Sequence, residues 1–119
     1  MGEEKKHILQ EVRNLYYTYG IKSVTMDDVA SELGISKKTL YQHVIDKYDL
    51  VNNVINLEID IIKEEFNKLS YESDNAIDEL LMVNRYIKKN IQQYNPSTDY
   101  DLKKYYPDLC KKIKETKRH

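Results

Sequence analysis

Little in this sequence breaks a helix. Glycine occurs three times and proline twice in 119 residues, and β-branched clusters flanked by turn signals are rare. Because Gly and Pro interrupt helices, their scarcity points to an all-α chain. Cysteine is scarcer still: Cys110 stands alone, which excludes an intrachain disulfide and a cysteine-based zinc site. The three histidines, His7, His43 and His119, are far apart in the chain, so no metal site and no cofactor are expected. There is no paired nucleophile and base and no Gly-rich phosphate loop, so enzymatic chemistry is not expected either. The first residues, Met-Gly-Glu-Glu-Lys-Lys, lead into an amphipathic pattern instead of a signal-peptide apolar run. No stretch approaches the ~20 apolar residues that a membrane span needs. A cytoplasmic chain with no membrane partner is expected.

Charge of one sign is missing too. The net charge is −1, with seven Lys/Arg against eight Asp/Glu in residues 1–50 and twelve of each in residues 51–119. Any nucleic-acid contact must therefore come from a local patch. The run from 103 to 119 carries seven Lys/Arg against two acids. It reads as the solvated face of a helix whose apolar side is Leu109, Cys110 and Ile113.

What is present is helical periodicity. Ile8, Leu9, Val12, Leu15, Tyr16 and Tyr19 form one helix face, and Gly20 supplies a left-handed stop. Thr25 is an N-cap with Asp27 and Asp28 in the first turn, where the helix dipole favours negative charge. Asp28 stands as a short-armed capping-box partner. Val29, Ala30 and Leu33 give this second helix its buried face, and Gly34 ends it. Ser36 caps a third helix carrying Leu40, Tyr41 and Val44, and Asp46 caps a long fourth with Leu50, Val54, Leu57 and Ile61 on one stripe. Residues 70–75 read as a polar loop. A fifth helix bears Ile77, Leu80 and Leu81 and closes at Asn95-Pro96. A short helical piece over residues 98–105 follows, and Pro107 fits the first turn of a last helix.

The informative unit is residues 25–47, two short helices joined by a tight turn with Gly34 first and Ile35 as an apolar plug, which is the spacing of a helix-turn-helix. With Ser36 as cap, the exposed residues of the third helix's first turns are Lys37, Lys38, Thr39, Gln42 and His43. All can donate hydrogen bonds and none is acidic. Such a helix fits the major groove and presents its N-terminal residues to base edges. Lys suits guanine or a phosphate, Gln suits adenine, and Thr can bond or touch a thymine methyl. Taken singly, Thr25 and Ser36 would be caps in any protein, and Tyr41, His43 and Lys47 ordinary surface side chains; their common register gives them weight.

In that register the segment resembles the N-terminal domain of the TetR (tetracycline-repressor-like) family of one-component regulators. The matching positions are Thr25, Val29-Ala30, Leu33-Gly34-Ile35-Ser36, Thr39-Leu40-Tyr41, His43-Val44, Lys47 and Leu50, all within about the first fifty residues. Val44 departs from a usual Phe, and Lys38 from a usual small residue. The resemblance implies phosphate contacts from Thr25, Tyr41, His43 and Lys47 and base reading by Lys37, Thr39 and Gln42, with Lys38 able to do either; Ser36 belongs to the same DNA-binding set. It implies a helix-turn-helix DNA-binding domain over residues 1–48 and part of a helical ligand-binding domain over 49–119. More helices would be expected to complete that domain, so on this reading it is truncated.

Further implications of the resemblance are a homodimer on a double-stranded, pseudo-palindromic operator, repression, and control by a small-molecule effector. A pocket could be lined by Phe66, Met82, Tyr86 and Tyr105, with Tyr94, Tyr100 and Tyr106 nearby; the same side chains could equally be plain core packing. The alternative function is a helical protein-interaction module that kept the three-helix head but lost DNA binding.

Overall fold

The computed structural model describes residues 2–72, 75–93 and 95–117, apart from the side chains at 69–72, 83, 86–93, 116 and 117. Every regular element among them is an α-helix. These are α1 (Glu3–Tyr19), α2 (Met26–Leu33), α3 (Lys37–Tyr41), α4 (Lys47–Glu72), α5 (Ala76–Gln93), α6 (Pro96–Tyr105) and α7 (Pro107–Lys117).

The all-α expectation holds, with local differences. Tyr19 is exposed, not part of the α1 face, because the helix ends there and the chain turns away at Gly20. Gly20 has φ 90° but ψ 174°, an extended mirror-image conformation in place of the expected left-handed turn. Gly34, with φ 66° and ψ 30°, is left-handed, and Ile35 N–H returns to Ala30 O at 3.0 Å to close α2. The third helix stops at Tyr41, so Val44 is buried from the turn that follows it. The fourth continues through Glu72, across part of the expected loop, and α6 begins at Pro96, capped by Asn95. Ile77, Leu80 and Leu81 on α5 are exposed.

One hydrophobic core runs through the molecule. Ile8, Leu9, Val12 and Tyr16 of α1, Val29 and Ala30 of α2, Leu40, Val44, and Leu50, Val51 and Val54 of α4 belong to the same cluster as Leu102, Leu109 and Cys110. α4 packs on α1, α5 and α7, and α6 bridges α1 and α7. Buried Glu58 of α4 pairs with Arg13 of α1, so its charge is compensated across that helix contact.

The connection between α1 and α2 is held from outside. α6 takes the last carbonyls of α1: Thr98 Oγ1 donates to Tyr16 O, Asn95 N–H to Tyr17 O at 3.0 Å and Asn95 Nδ2 to Thr18 O at 2.9 Å. Buried Asp101 accepts from the N–H groups of Ile21 at 3.0 Å and Lys22 at 2.9 Å. A Cβ on Gly20 would stand 2.5 Å from Ser97 Oγ and 3.2 Å from Asp101 Oδ2, so a side chain there would displace the serine hydroxyl and strain a backbone held at φ 90°.

Asp101→Ala orphans two backbone donors, each worth about 1–3 kcal/mol when left unpaired in the interior. A urea titration should show a clearly lowered midpoint, with Asp101→Asn, which keeps an acceptor oxygen, falling between it and the parent. An unchanged midpoint for the alanine variant would show that water satisfies those N–H groups.

Candidate nucleic-acid interface

The head of the candidate interface is built by two N-caps. Thr25 Oγ1 accepts from Asp28 N–H at 3.1 Å while Asp28 Oδ2 accepts from Thr25 N–H at 2.9 Å, a full capping box. The backbone hydrogen bond and then the side-chain bond with Thr25 hold the Asp28 carboxyl below its ordinary range. Ser36 Oγ accepts from Thr39 N–H at 3.1 Å and lies 3.0 Å from Thr39 Oγ1. A five-residue helix cannot sustain itself. Fully buried Leu40 anchors α3, and such burial contributes about 1.5–3 kcal/mol. Ile35, partly buried, packs on the core from the turn between the two helices.

With Leu40 inward, Lys37, Lys38, Tyr41 and Gln42 are exposed on the other side of the short helix, and Thr39, His43 and Lys47 are half-buried beside them. The structure thus brings together the residues singled out on α3 and at the start of α4. It also adds acidic neighbours that the local pattern does not contain. Asp27 of α2 pairs with Lys37 at 3.0 Å, which raises the affinity of that ammonium for its proton. Glu4 of α1 lies 3.7 Å from His43 Nε2. None of the exposed α3 residues is acidic, as expected, but two acids from other helices reach Lys37 and His43. Asp27 precedes Lys37 by ten residues, a separation with no helical meaning, and the turn at Gly34 sets the pair face to face. Lys38 has no ion-pair partner among the described residues.

Lys47 occupies a different environment from the α3 lysines. Its Nζ donates to Ile21 O at 2.8 Å and Lys22 O at 3.4 Å. Burial lowers its pKa, opposed by the carboxylates of Asp101 and Asp28. Two of its three donor directions are directed into the α1–α2 connection, which leaves one for an outside acceptor. Sequence reasoning missed Asp101, which faces the same connection from α6. A separation of eighty residues leaves no local signal.

The other candidate site is a cavity of about 510 Å³ between α1, α4, α6 and α7, with Arg13, Tyr17, Val54, Glu58, Thr98 and Ile113 in its wall. Phe66, Met82 and Tyr105 are not among its lining residues; Tyr105 is exposed at the far end of α6. The side chain of Tyr86, and Tyr94, lie outside the described residues. Among the described residues no helix is long and apolar enough to cross a membrane, and no three His, Cys, Asp or Glu side chains gather into a metal-binding group.

A family model described as bacterial regulatory proteins, tetR family, matches residues 8–54. HTH-type transcriptional regulators from Staphylococcus aureus strains USA300, MRSA252 and N315 are each 34% identical to this chain over 67 residues. That stretch is 56% of this chain and 36% of each relative, so the chain spans little more than a third of the length of the curated relatives it matches. No solved structure matches it significantly.

Because Lys47 stitches α4 to the α1–α2 connection, Lys47→Ala should lower stability even with no nucleic acid present. Loss of its bonds to two carbonyls is expected to cost about 1–3 kcal/mol in urea unfolding. A variant as stable as the parent would show Lys47 to be a free surface charge.

Proposed function

We propose, from the match of residues 8–54 to a model of the tetR family of bacterial regulatory proteins, that this chain is the DNA-binding end of a transcriptional regulator. In this reading residues 1–48 are the reading head and residues 49–119 part of a helical regulatory body. The observation that carries it is the presentation of α3. Its one fully buried side chain, Leu40, fixes the helix to the core, while Lys37, Lys38, Tyr41 and Gln42 are exposed.

A capped helix N-terminus of this kind enters the major groove, about 12 Å wide, with its first residues against base edges. Lys37, Thr39 and Gln42 are assigned to bases, Thr25, Ser36, Tyr41, His43 and Lys47 to phosphates, and Lys38 to either. Helix N-termini and short hydroxyl donors suit phosphate oxygens, whereas long amide and ammonium side chains reach base edges. Lys37 must exchange Asp27 for its DNA partner, and Glu4 stands 3.7 Å from His43 Nε2. That exchange makes Asp27 a competitor that weakens non-specific attachment. One such head makes few contacts, so a homodimer reading two half-sites about 34 Å apart on a pseudo-palindromic operator completes the proposal. The proposal extends, on the family resemblance alone, to repression and its relief by a small effector that favours a head spacing unable to fit DNA.

Selection of bound sequences from random duplexes with the full-length protein tests this directly, reporting half-site and spacing together. Affinity should fall with salt at a log–log slope of about −0.9 per phosphate neutralised. The absence of salt-dependent duplex binding would exclude the reading. On the selected site, Gln42→Ala should relax preference at one base position by about 1–3 kcal/mol. Lys47→Ala should weaken all sequences alike, and equal, sequence-independent losses from both would remove the division between base and phosphate contacts. Asp27→Asn should raise duplex affinity by freeing Lys37; unchanged affinity would place Lys37 off the DNA.

A further inference from the structure

Away from α3, two lysines from distant parts of the chain converge on one aromatic ring. Lys22 Nζ, from the α1–α2 connection, lies 5.1 Å from the centroid of Tyr105, and Lys104 Nζ, from α6, lies 5.3 Å from the same centroid. Lys104 is also 5.5 Å from the ring of Tyr100. All four side chains are exposed. The neighbouring Lys103 is bound by Asp99 at 2.9 Å, but among the described residues neither Lys22 nor Lys104 has a carboxylate within ion-pair distance. Two ammoniums on one ring repel each other. The negative face of the phenol offsets part of that repulsion and holds them in place, leaving their remaining N–H donors directed at solvent. The bond from Lys22, and then the charge of Lys104, draw the Tyr105 phenol below its ordinary range, against the opposing effect of desolvation.

The position of this patch identifies its occupant. The carbonyl of Lys22 accepts from Lys47 Nζ, and Thr25, the cap of α2, follows three residues later. The patch is therefore joined to Lys47 through the Lys22 backbone and to Thr25 through three residues of chain. We propose that Lys22 and Lys104, held over Tyr105 and Tyr100, form a second cationic contact that takes the phosphate backbone of the duplex flanking the half-site. This rests on the reading above, in which Thr25 and Lys47 face phosphates. The contact is made from α6 as well as from the head, so it lengthens the footprint without adding base recognition.

The test uses the full-length protein, a Lys22→Gln/Lys104→Gln double variant that keeps most of both stems, and a salt series on the selected site with long and trimmed flanks. On the long duplex the variant should bind more weakly, with unchanged base preference. Its log–log salt slope should be shallower by about 0.9 for each phosphate that is no longer neutralised. On the trimmed duplex parent and variant should converge. Lys22→Arg/Lys104→Arg should restore the slope, and Lys103→Gln should leave it as in the parent. A double variant with the parent's slope on the long duplex overturns this proposal while leaving α3 as the reading helix. So does a change confined to base preference. A loss seen equally on trimmed DNA would assign the lysines to the core contact instead of the flank. A parent protein that binds no duplex overturns both readings, and binding of an acidic peptide or inorganic phosphate in its place would reassign the patch.

Discussion

Between the end of α1 and the cap of α2 the backbone of Ile21 and Lys22 offers two N–H groups and two carbonyls that lie in neither helix. The N–H groups go to the buried carboxylate of Asp101 on α6, and the carbonyls to the ammonium of Lys47 at the start of α4. Asp101 and Lys47 also attract each other. An acid and a base thus hold one short loop between them, each satisfying the backbone groups of opposite polarity. Removing Asp101 leaves two N–H groups unpaired, that of Ile21 in the buried interior, whereas the Ile21 carbonyl keeps a second bond from Val24 N–H at 3.3 Å when Lys47 is lost. The placement of α2, and through it of α3, depends on this loop, because α2 begins with Thr25 just beyond it.

That dependence explains how so short a helix as α3 is held in place. α3 has five residues and no intrinsic helical stability. Ser36 fixes its start, Leu40 fixes its inner side, and Ile35 and Val44 hold the chain on either flank. The core that receives Leu40 is continuous with the core under α6 and α7. Head and body are therefore mechanically joined through packing at α1 and α4 and through polar contacts at α6. A displacement of α6 would act on the same loop that orients α2, because Asp101 of α6 holds the N–H groups of Ile21 and Lys22.

The local motifs were legible before any coordinates. The box of Thr25 and Asp28, the cap at Ser36, the helix end at Gly34 and the cap at Asp46 are each decided by neighbours three or four residues away. Burial of Leu40 and Val44 followed from the same short-range pattern, although Val44 reaches the core from a turn and not from the helix. Less legible were positions whose fate depends on what lies opposite. Tyr19 shares the α1 period yet faces solvent, and Ile77, Leu80 and Leu81 keep a helical stripe that is exposed. Tyr105, suggested as a pocket residue, instead sits under two lysines at the surface. Periodicity identifies an apolar face but not whether another element covers it.

The candidate interface divides in the same way. The sequence alone determined which side chains α3 carries, because caps and a turn of fixed length dictate the local geometry whatever surrounds it. Tertiary structure decided what those side chains meet. It placed Asp27 against Lys37, directed Lys47 into the loop carbonyls, brought Asp101 to the same loop from eighty residues away, and joined Lys22 to Lys104 over one ring. Each of these is a charge meeting a partner across a fold boundary. Coulombic and hydrogen-bond energies depend on distance in space, and separation along a chain carries that distance only within a single helix or turn.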